Sequence, residues 1–280
     1  VKATTGPTQT GTVLFDWTDL VTGINSNSYT TAWSLTDTLW NLLVSGTNYI
    51  SVRVYDNAGN FKTQSDVFYI RKDTVPPQAP VLSYPVNGSS TNLTALGFGW
   101  DASYENLSGI SGYEIYISTK SDFSVIFSSG FVLGLSTTVN LGGGYYYWKV
   151  RSKDNAGNYS LWSDTWTVLI DTITPAVDEQ QSGDDVWISS NSRVYSVFFN
   201  DSGGSLLSKF QVKAMTGPTQ TGTVLFDWTD LVTDINSNSY TTPWSLTDTL
   251  WNLLVSGTNY ISVRVYDNAG NVMVSTDVFY

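Results

Sequence analysis

The sequence predicts an all-β protein built as tandem antiparallel β-sandwiches. Three observations predict it. Short apolar stretches alternate with period two, as at Leu96, Phe98 and Trp100. Clusters of Gly, Asn, Asp and Ser separate these stretches at short intervals, as turns between strands require. A block of sequence also recurs almost unchanged 211 residues downstream, which is the mark of a modular array.

The repeat sets the organisation. VKATTGPTQTGTVLFDWTDLVTG from Val1 returns as VKAMTGPTQTGTVLFDWTDLVTD from Val212, and the match runs over 1–69 and 212–280 with eight differences in 69 positions. Two Pro-containing boundaries, Lys72-Asp73-Thr74-Val75-Pro76-Pro77 and Asp171-Thr172-Ile173-Thr174-Pro175, fall between the copies. Proline cannot donate to a ladder and therefore sits at strand starts and junctions. Three units follow: 1–72, 73–172 and 173–280.

The last unit is expected to be complete, with Val186-Trp187-Ile188 and Val194–Phe199 as its first two strands. The first unit has no counterpart of Ile173–Gln211. A segment of that kind is expected to complete it, either upstream in a longer array or from a neighbouring subunit. The expectation favours the longer array, because the C-terminal copy encodes these strands directly before the matching sequence.

In the middle unit, Leu96/Phe98/Trp100, Tyr113/Ile115/Ile117, Tyr146/Trp148/Val150 and Trp166/Val168/Ile170 each line one strand face, with polar residues such as Glu114, Lys149 and Arg151 opposite. Trp100 is therefore expected in the core. The string D-N-A-G-N occurs at Asp56–Asn60, Asp154–Asn158 and Asp267–Asn271. It reads as a tight hairpin turn, since Asp caps its own turn and Gly and Asn accept left-handed angles. Trp33–Leu43 predicts one or two helical turns, capped by Ser34 or Thr36 and stopped near Gly46.

Composition excludes several functions. The chain has 280 residues, no histidine and no cysteine. That removes the commonest general base, Ser-His-Asp and Cys-His catalysis, and thiolate or imidazole metal sites. A net charge of −11 disfavours phosphate-backbone contact, so no nucleic acid is expected. No apolar run approaches the roughly 18 residues of a membrane span. Charged residues make up 13% and aromatics 14%, a balance that favours folded β-structure over disorder. Only three glutamates occur, Glu105, Glu114 and Glu179, and a simple sandwich offers no deep cleft for a carboxylate pair. No enzymatic activity is expected.

The quoted motifs carry a resemblance. DTVPPQAPVLSYPVNG, FGW, SGISGYEIYIS, YYYWKVRSKDNAGNYS and LWSDTWTVLIDT make residues 73–172 resemble a bacterial fibronectin type III-like module. Tyr146 falls where that family often has its corner tyrosine. Through GTNYISVRVYDNAGN, residues 1–72 and 173–280 resemble bacterial immunoglobulin-like repeats, with Asn48 in the position of the corner. The resemblance implies sandwiches and leaves function open, because the fold serves many tasks.

Two sets of residues merit chemical weighing. Asp56, Asp154 and Asp267 are calcium candidates, but no stretch alternates Asp/Asn ligands closed by a Glu. Turn chemistry explains them better, and no cofactor is expected. If Tyr146 and Trp148 point inward, Tyr145, Tyr147, Lys149 and Arg151 point outward, with Tyr116 on a neighbouring strand. Such a face suits glycan stacking or an assembly contact, and ordinary cross-strand pairing is the plainer alternative. Lys2 and Lys213 recur, but no isopeptide partner can be named for them. The expected function is a structural repeat of an extracellular, cell-surface filament, sheath or stalk whose partners are copies of itself. The alternatives are an adhesin or carbohydrate-binding array, and spacer domains of a secreted polysaccharide-degrading enzyme.

Overall fold

The computed structural model describes residues 1–181 and 186–280. The buried apolar side chains form three separate cores, which lie within the N-terminal, middle and C-terminal stretches of the chain.

The middle core has the two sheets that period-two patterning requires. One sheet orders Ser136–Asn140, Ala95–Trp100 and Leu82–Tyr84; the other orders Ser89–Thr91, Trp166–Ile170, Gly144–Asp154, Ile110–Ser118 and Ile126–Val132. The inward residues meet between the sheets. Trp100 is buried as expected, and Phe98, Ile117, Trp148, Val150 and Val168 lose all contact with solvent. Tyr146 Oη donates to Gly142 O at 3.2 Å, the bond of a tyrosine corner. In the flanking units an amide takes over that task. Asn48 Nδ2 donates to Val44 O at 2.8 Å and Asn259 Nδ2 to Val255 O at 2.8 Å, each again four residues upstream.

The C-terminal core lies between a sheet ordered Ala176–Glu179, Val197–Asn200, Ser239–Tyr240 and a sheet ordered Thr221–Val232, Leu207–Gly217, Tyr260–Asp267, Val272–Phe279. The first strand is therefore Ala176–Glu179, and not Val186–Ile188 as expected. Ala176–Glu179 follows Pro175 directly and pairs antiparallel with Val197–Asn200. The 186–188 run makes no ladder, and Trp187 is 83% exposed. Residues 182–185 lie outside the described residues.

The N-terminal repeat copy builds one sheet, ordered Val13–Phe15, Lys2–Thr4, Gly46–Tyr55, Phe61–Lys72. Its helix spans Asp37–Leu42, with Thr36 Oγ1 accepting from Leu39 N at 3.3 Å; Thr247 caps the matching turn Asp248–Trp251 in the same way. Thr36, and not Ser34, is the cap.

Two of the three D-N-A-G-N strings make the expected hairpins, between Gly46–Tyr55 and Phe61–Lys72 and between Tyr260–Asp267 and Val272–Phe279. The third departs from expectation. After Asn158 the chain crosses residues 159–165 before Trp166 starts the next strand. Here serine hydroxyls replace main-chain ladder groups. Ser152 N donates to Ser160 Oγ at 2.9 Å and Val150 N to Ser163 Oγ at 3.0 Å, while Ser160 N and Ser163 N donate back to Ser152 O and Val150 O.

Candidate functional sites

The crossing at 159–165 brings Tyr159 and Trp162 onto the outward face of the strand Gly144–Asp154. The predicted outward residues are all there. Lys149 stands opposite Tyr116, and Arg151 opposite Glu114. Tyr116 packs on Trp162 at 4.6 Å between ring centroids. Lys149 Nζ lies 4.0 Å above Phe123 and 4.8 Å above Trp162; the Arg151 guanidinium lies 4.1 Å from Tyr159 and 4.6 Å from Trp162. Glu114 closes the row with an ion pair to Arg151 at 2.5 Å. Burial among the rings, and next the Arg151 charge, lower the Lys149 pKa.

Cations and rings are thus alternately stacked within the chain, which leaves the ring faces already used. Tyr145 and Tyr147 pack edge to face at 5.3 Å, and Tyr145 is 47% exposed. Sequence reasoning missed Phe123, Tyr159 and Trp162. A signal was available in YSLW just after the turn, but only the serine-mediated crossing decides which face its Trp takes. The flanking units build the same device: Arg53 lies 3.9 Å from Trp17, and Arg264 4.6 Å from Trp228. The recurring lysines have ion-pair partners, Lys2 with Asp16 and Lys213 with Asp227, each at 3.1 Å.

The second site lies where successive units meet, and it is built twice. At the later junction, Asn271 Nδ2 donates to Asp171 O at 2.8 Å, and Asn271 N and Nδ2 hold the two carboxylate oxygens of Asp267. Asn268 Nδ2 donates to Ser205 O at 3.0 Å, Ser205 N donates to Asp171 Oδ2 at 3.0 Å, and Asp201 accepts from Gly203 N and Leu206 N. A further bond, Asn92 N to Ala269 O at 3.0 Å, ties the same turn to the middle unit.

The earlier junction repeats the pattern. Asn158 Nδ2 donates to Asp73 O and to Asp154 Oδ2, Asn155 Nδ2 donates to Ser108 O, and Glu105 accepts from Leu107 N and Gly109 N. Asp154 and Asp267 are buried, whereas Asp56 is exposed and serves its own turn through Ala58 N, Asn60 N and Asn60 Nδ2. The junction partners Asp171, Asp201 and Asp73 were not singled out in the sequence, since each lies tens of residues from the D-N-A-G-N string it meets.

Gly203 leaves the space that Asp171 occupies: a Cβ there would sit 1.9 Å from Asp171 Oδ1. Gly203→Ala is therefore expected to cost the C-terminal unit about 1–3 kcal/mol by overpacking. It should also speed hydrogen exchange at the Ser205 amide, which donates to Asp171. Unchanged exchange at Ser205 would show that the linker does not depend on this gap.

No protein-family model matches the chain. The chain is 28% identical to exoglucanase B of Cellulomonas fimi over 268 residues, 92% of this chain and 22% of that protein. It is also 28% identical to chitinase A1 of Niallia circulans over 170 residues, 58% of this chain and 24% of that one. The chain thus spans less than a quarter of either relative's length. Among solved structures, fibronectin(III)-like modules of Clostridium thermocellum CbhA align over 70% of this chain and 90% of theirs, at 16% identity and a TM-score of 0.39. A tetra-tandem repeat from the extending region of a large adhesion protein aligns over 84% of this chain and 56% of its own, at 16% identity and a TM-score of 0.31. By its sheets, its corner residues and its repeat, the chain is an all-β tandem of antiparallel-sheet modules, with two-sheet sandwiches in the middle and at the C-terminal end.

Proposed function

We propose that this chain is a non-catalytic structural stretch of an extracellular protein, a repeat of a filament, sheath or stalk that holds its ends apart and associates with copies of itself. The observation that carries this reading is the junction built twice. At both boundaries the last Asn of a D-N-A-G-N turn bonds the carbonyl of the linker Asp, and a nearby loop is gripped by the first Asn of that turn. A repeated junction gives a repeated inter-module geometry, which is what sets spacing in an array. Association has a surface to use: Tyr55, Phe61 and Tyr69 lie on one face of the N-terminal sheet and are each more than half exposed, and apolar groups gathered on one face favour contact.

A second reading is a spacer within a secreted polysaccharide-degrading enzyme. The likeness to exoglucanase B along 92% of the chain favours it. Sedimentation velocity over a wide concentration range, paired with co-sedimentation on cellulose and chitin, separates the readings. Concentration-dependent growth without polysaccharide binding is the expected result. A monomer at every concentration would overturn self-association and leave the spacer reading; binding to either polysaccharide would instead support a carbohydrate-binding array.

A further inference from the structure

Asp171, Asp201 and Asp267 converge at the later junction although 30 and 66 residues separate them along the chain. All three are buried, at 2%, 5% and 3% exposure. Each offers a carboxylate oxygen, and these oxygens all lie within 4.8 Å of one another. The carboxylates are held by N–H donors, on both oxygens of each: Ile173 N and Ser205 N on Asp171, Gly203 N and Leu206 N on Asp201, Asn271 N and Nδ2 on Asp267.

Three like charges without water around them are costly unless a cation joins them. The ion pairs Lys2–Asp16, Arg151–Glu114, Lys209–Asp230 and Lys213–Asp227 all lie away from the trio.

A separate observation points to a ligand. Ser205 is 6% exposed, and its hydroxyl is buried without a hydrogen-bond partner. Its own N–H sits on Asp171 Oδ2 at 3.0 Å. The hydroxyl is three bonds from that nitrogen, on the order of 3–4 Å away, which keeps it in the neighbourhood of the Asp171 carboxylate without a partner of its own. A buried hydroxyl of this kind calls for an explanation, an ion among them. At the earlier junction the matching serine hydroxyl, Ser108 Oγ, is also buried without a hydrogen-bond partner, and there Asp73 Oδ2 is as well. Burial raises the Asp73 pKa, and the Ser108 hydroxyl with the Val75 and Ser108 amides outweighs it, for a net lowering.

We propose that Asp171, Asp201 and Asp267, together with the Ser205 hydroxyl, form a calcium site that locks the middle and C-terminal modules together. The oxygen-only donor set is that of a hard cation. Separations within 4.8 Å are compatible with calcium, whose oxygens on opposite sides, at about 2.4 Å each, stand about 4.8 Å apart. No contiguous loop supplies these ligands; in this proposal they come from a linker, a loop and a hairpin. Asp56 stays outside the proposal, since its carboxylate is exposed and spent on its own turn.

The test uses the full 280-residue chain. Isothermal titration with calcium chloride should give a Kd on the order of 10⁻⁴–10⁻³ M, the range of extracellular modules. The melting temperature of the C-terminal transition in 10 mM calcium should exceed that in EGTA by about 3 °C or more. Asp201→Asn should weaken binding at least about tenfold. In EGTA the same variant should melt at or above wild type, because it removes one of three like charges. Asp56→Asn should leave binding unchanged. The proposal is overturned if the unmodified chain shows neither heat nor thermal shift up to 10 mM calcium. It is overturned equally if Asp201→Asn binds as tightly as wild type, or if it melts lower in EGTA and wild type ignores calcium, which would make the trio a purely structural hydrogen-bond cluster.

Discussion

Replacing Trp244 by alanine is expected to cost the C-terminal module about 3–5 kcal/mol, while the same change at Trp33 costs about 1 kcal/mol or less. The two tryptophans occupy the same place in the repeat, so local sequence is nearly controlled. Their surroundings differ. Trp244 is 5% exposed and its Nε1 donates to Val197 O at 2.8 Å. Around it Tyr195 stacks on Phe279 at 3.6 Å between centroids. Trp33 is 39% exposed and packs on Phe68, the counterpart of Phe279, at 5.8 Å. The space that Tyr195 and Val197 fill in the C-terminal module is an open groove here, lined by Trp33, Leu35, Trp40, Phe68 and Ile70. Truncating Trp244 therefore removes packing and strands a buried carbonyl, whereas truncating Trp33 mostly trims exposed surface. Hydrogen exchange resolved by peptide would localise each effect to its own module. Equal losses at the two positions would show that the N-terminal copy is covered in solution by a segment other than those resolved around it.

The second large effect is expected at Trp148. Its ring is fully buried on the central strand of the middle module, edge to face with Phe98 at 5.0 Å and with Trp166 at 5.9 Å. Trp148→Ala should cost about 3–5 kcal/mol. Trp148→Phe should cost distinctly less, about 1–2 kcal/mol, for a reason beyond size. The indole N–H of Trp148 is buried without a partner, and removing an unsatisfied donor offsets part of the lost packing. Denaturant unfolding of the two variants, followed by far-ultraviolet circular dichroism, measures both numbers. A phenylalanine variant as damaged as the alanine one would mean that the indole nitrogen is satisfied in solution.

The stacked cations bear on what the exposed faces do. Lys149 and Arg151 were expected to flank open aromatics, yet both are already seated on Phe123, Tyr159 and Trp162. A glycan would have to displace these contacts, whereas Tyr145 stands clear of them. Cross-strand and cross-loop packing within the module therefore accounts for most of this face, and the self-association reading leans more on the N-terminal sheet.

The sequence by itself determined the sandwich layers. Leu96, Phe98 and Trp100 had to share a face because side chains along a strand alternate, and all three are buried. It also determined the turns, since only Asp, Gly and Asn in the order of D-N-A-G-N suit both the self-capping and the left-handed angle at Gly59, Gly157 and Gly270. These are local properties, settled within a few residues. What the tertiary structure alone decided is everything that joins distant residues. Whether Ala176–Glu179 or Val186–Ile188 becomes the first strand depends on which can pair with Val197–Asn200, and both runs look adequate in isolation. That Asp171, Asp201 and Asp267 share one buried pocket depends on a linker, a loop and a hairpin being brought together. Trp33 and Trp244 make the point most directly: nearly the same sequence surrounds both, yet one is exposed and the other buried. Burial is set by the partner strand that arrives from elsewhere in the chain, and no local pattern carries that information.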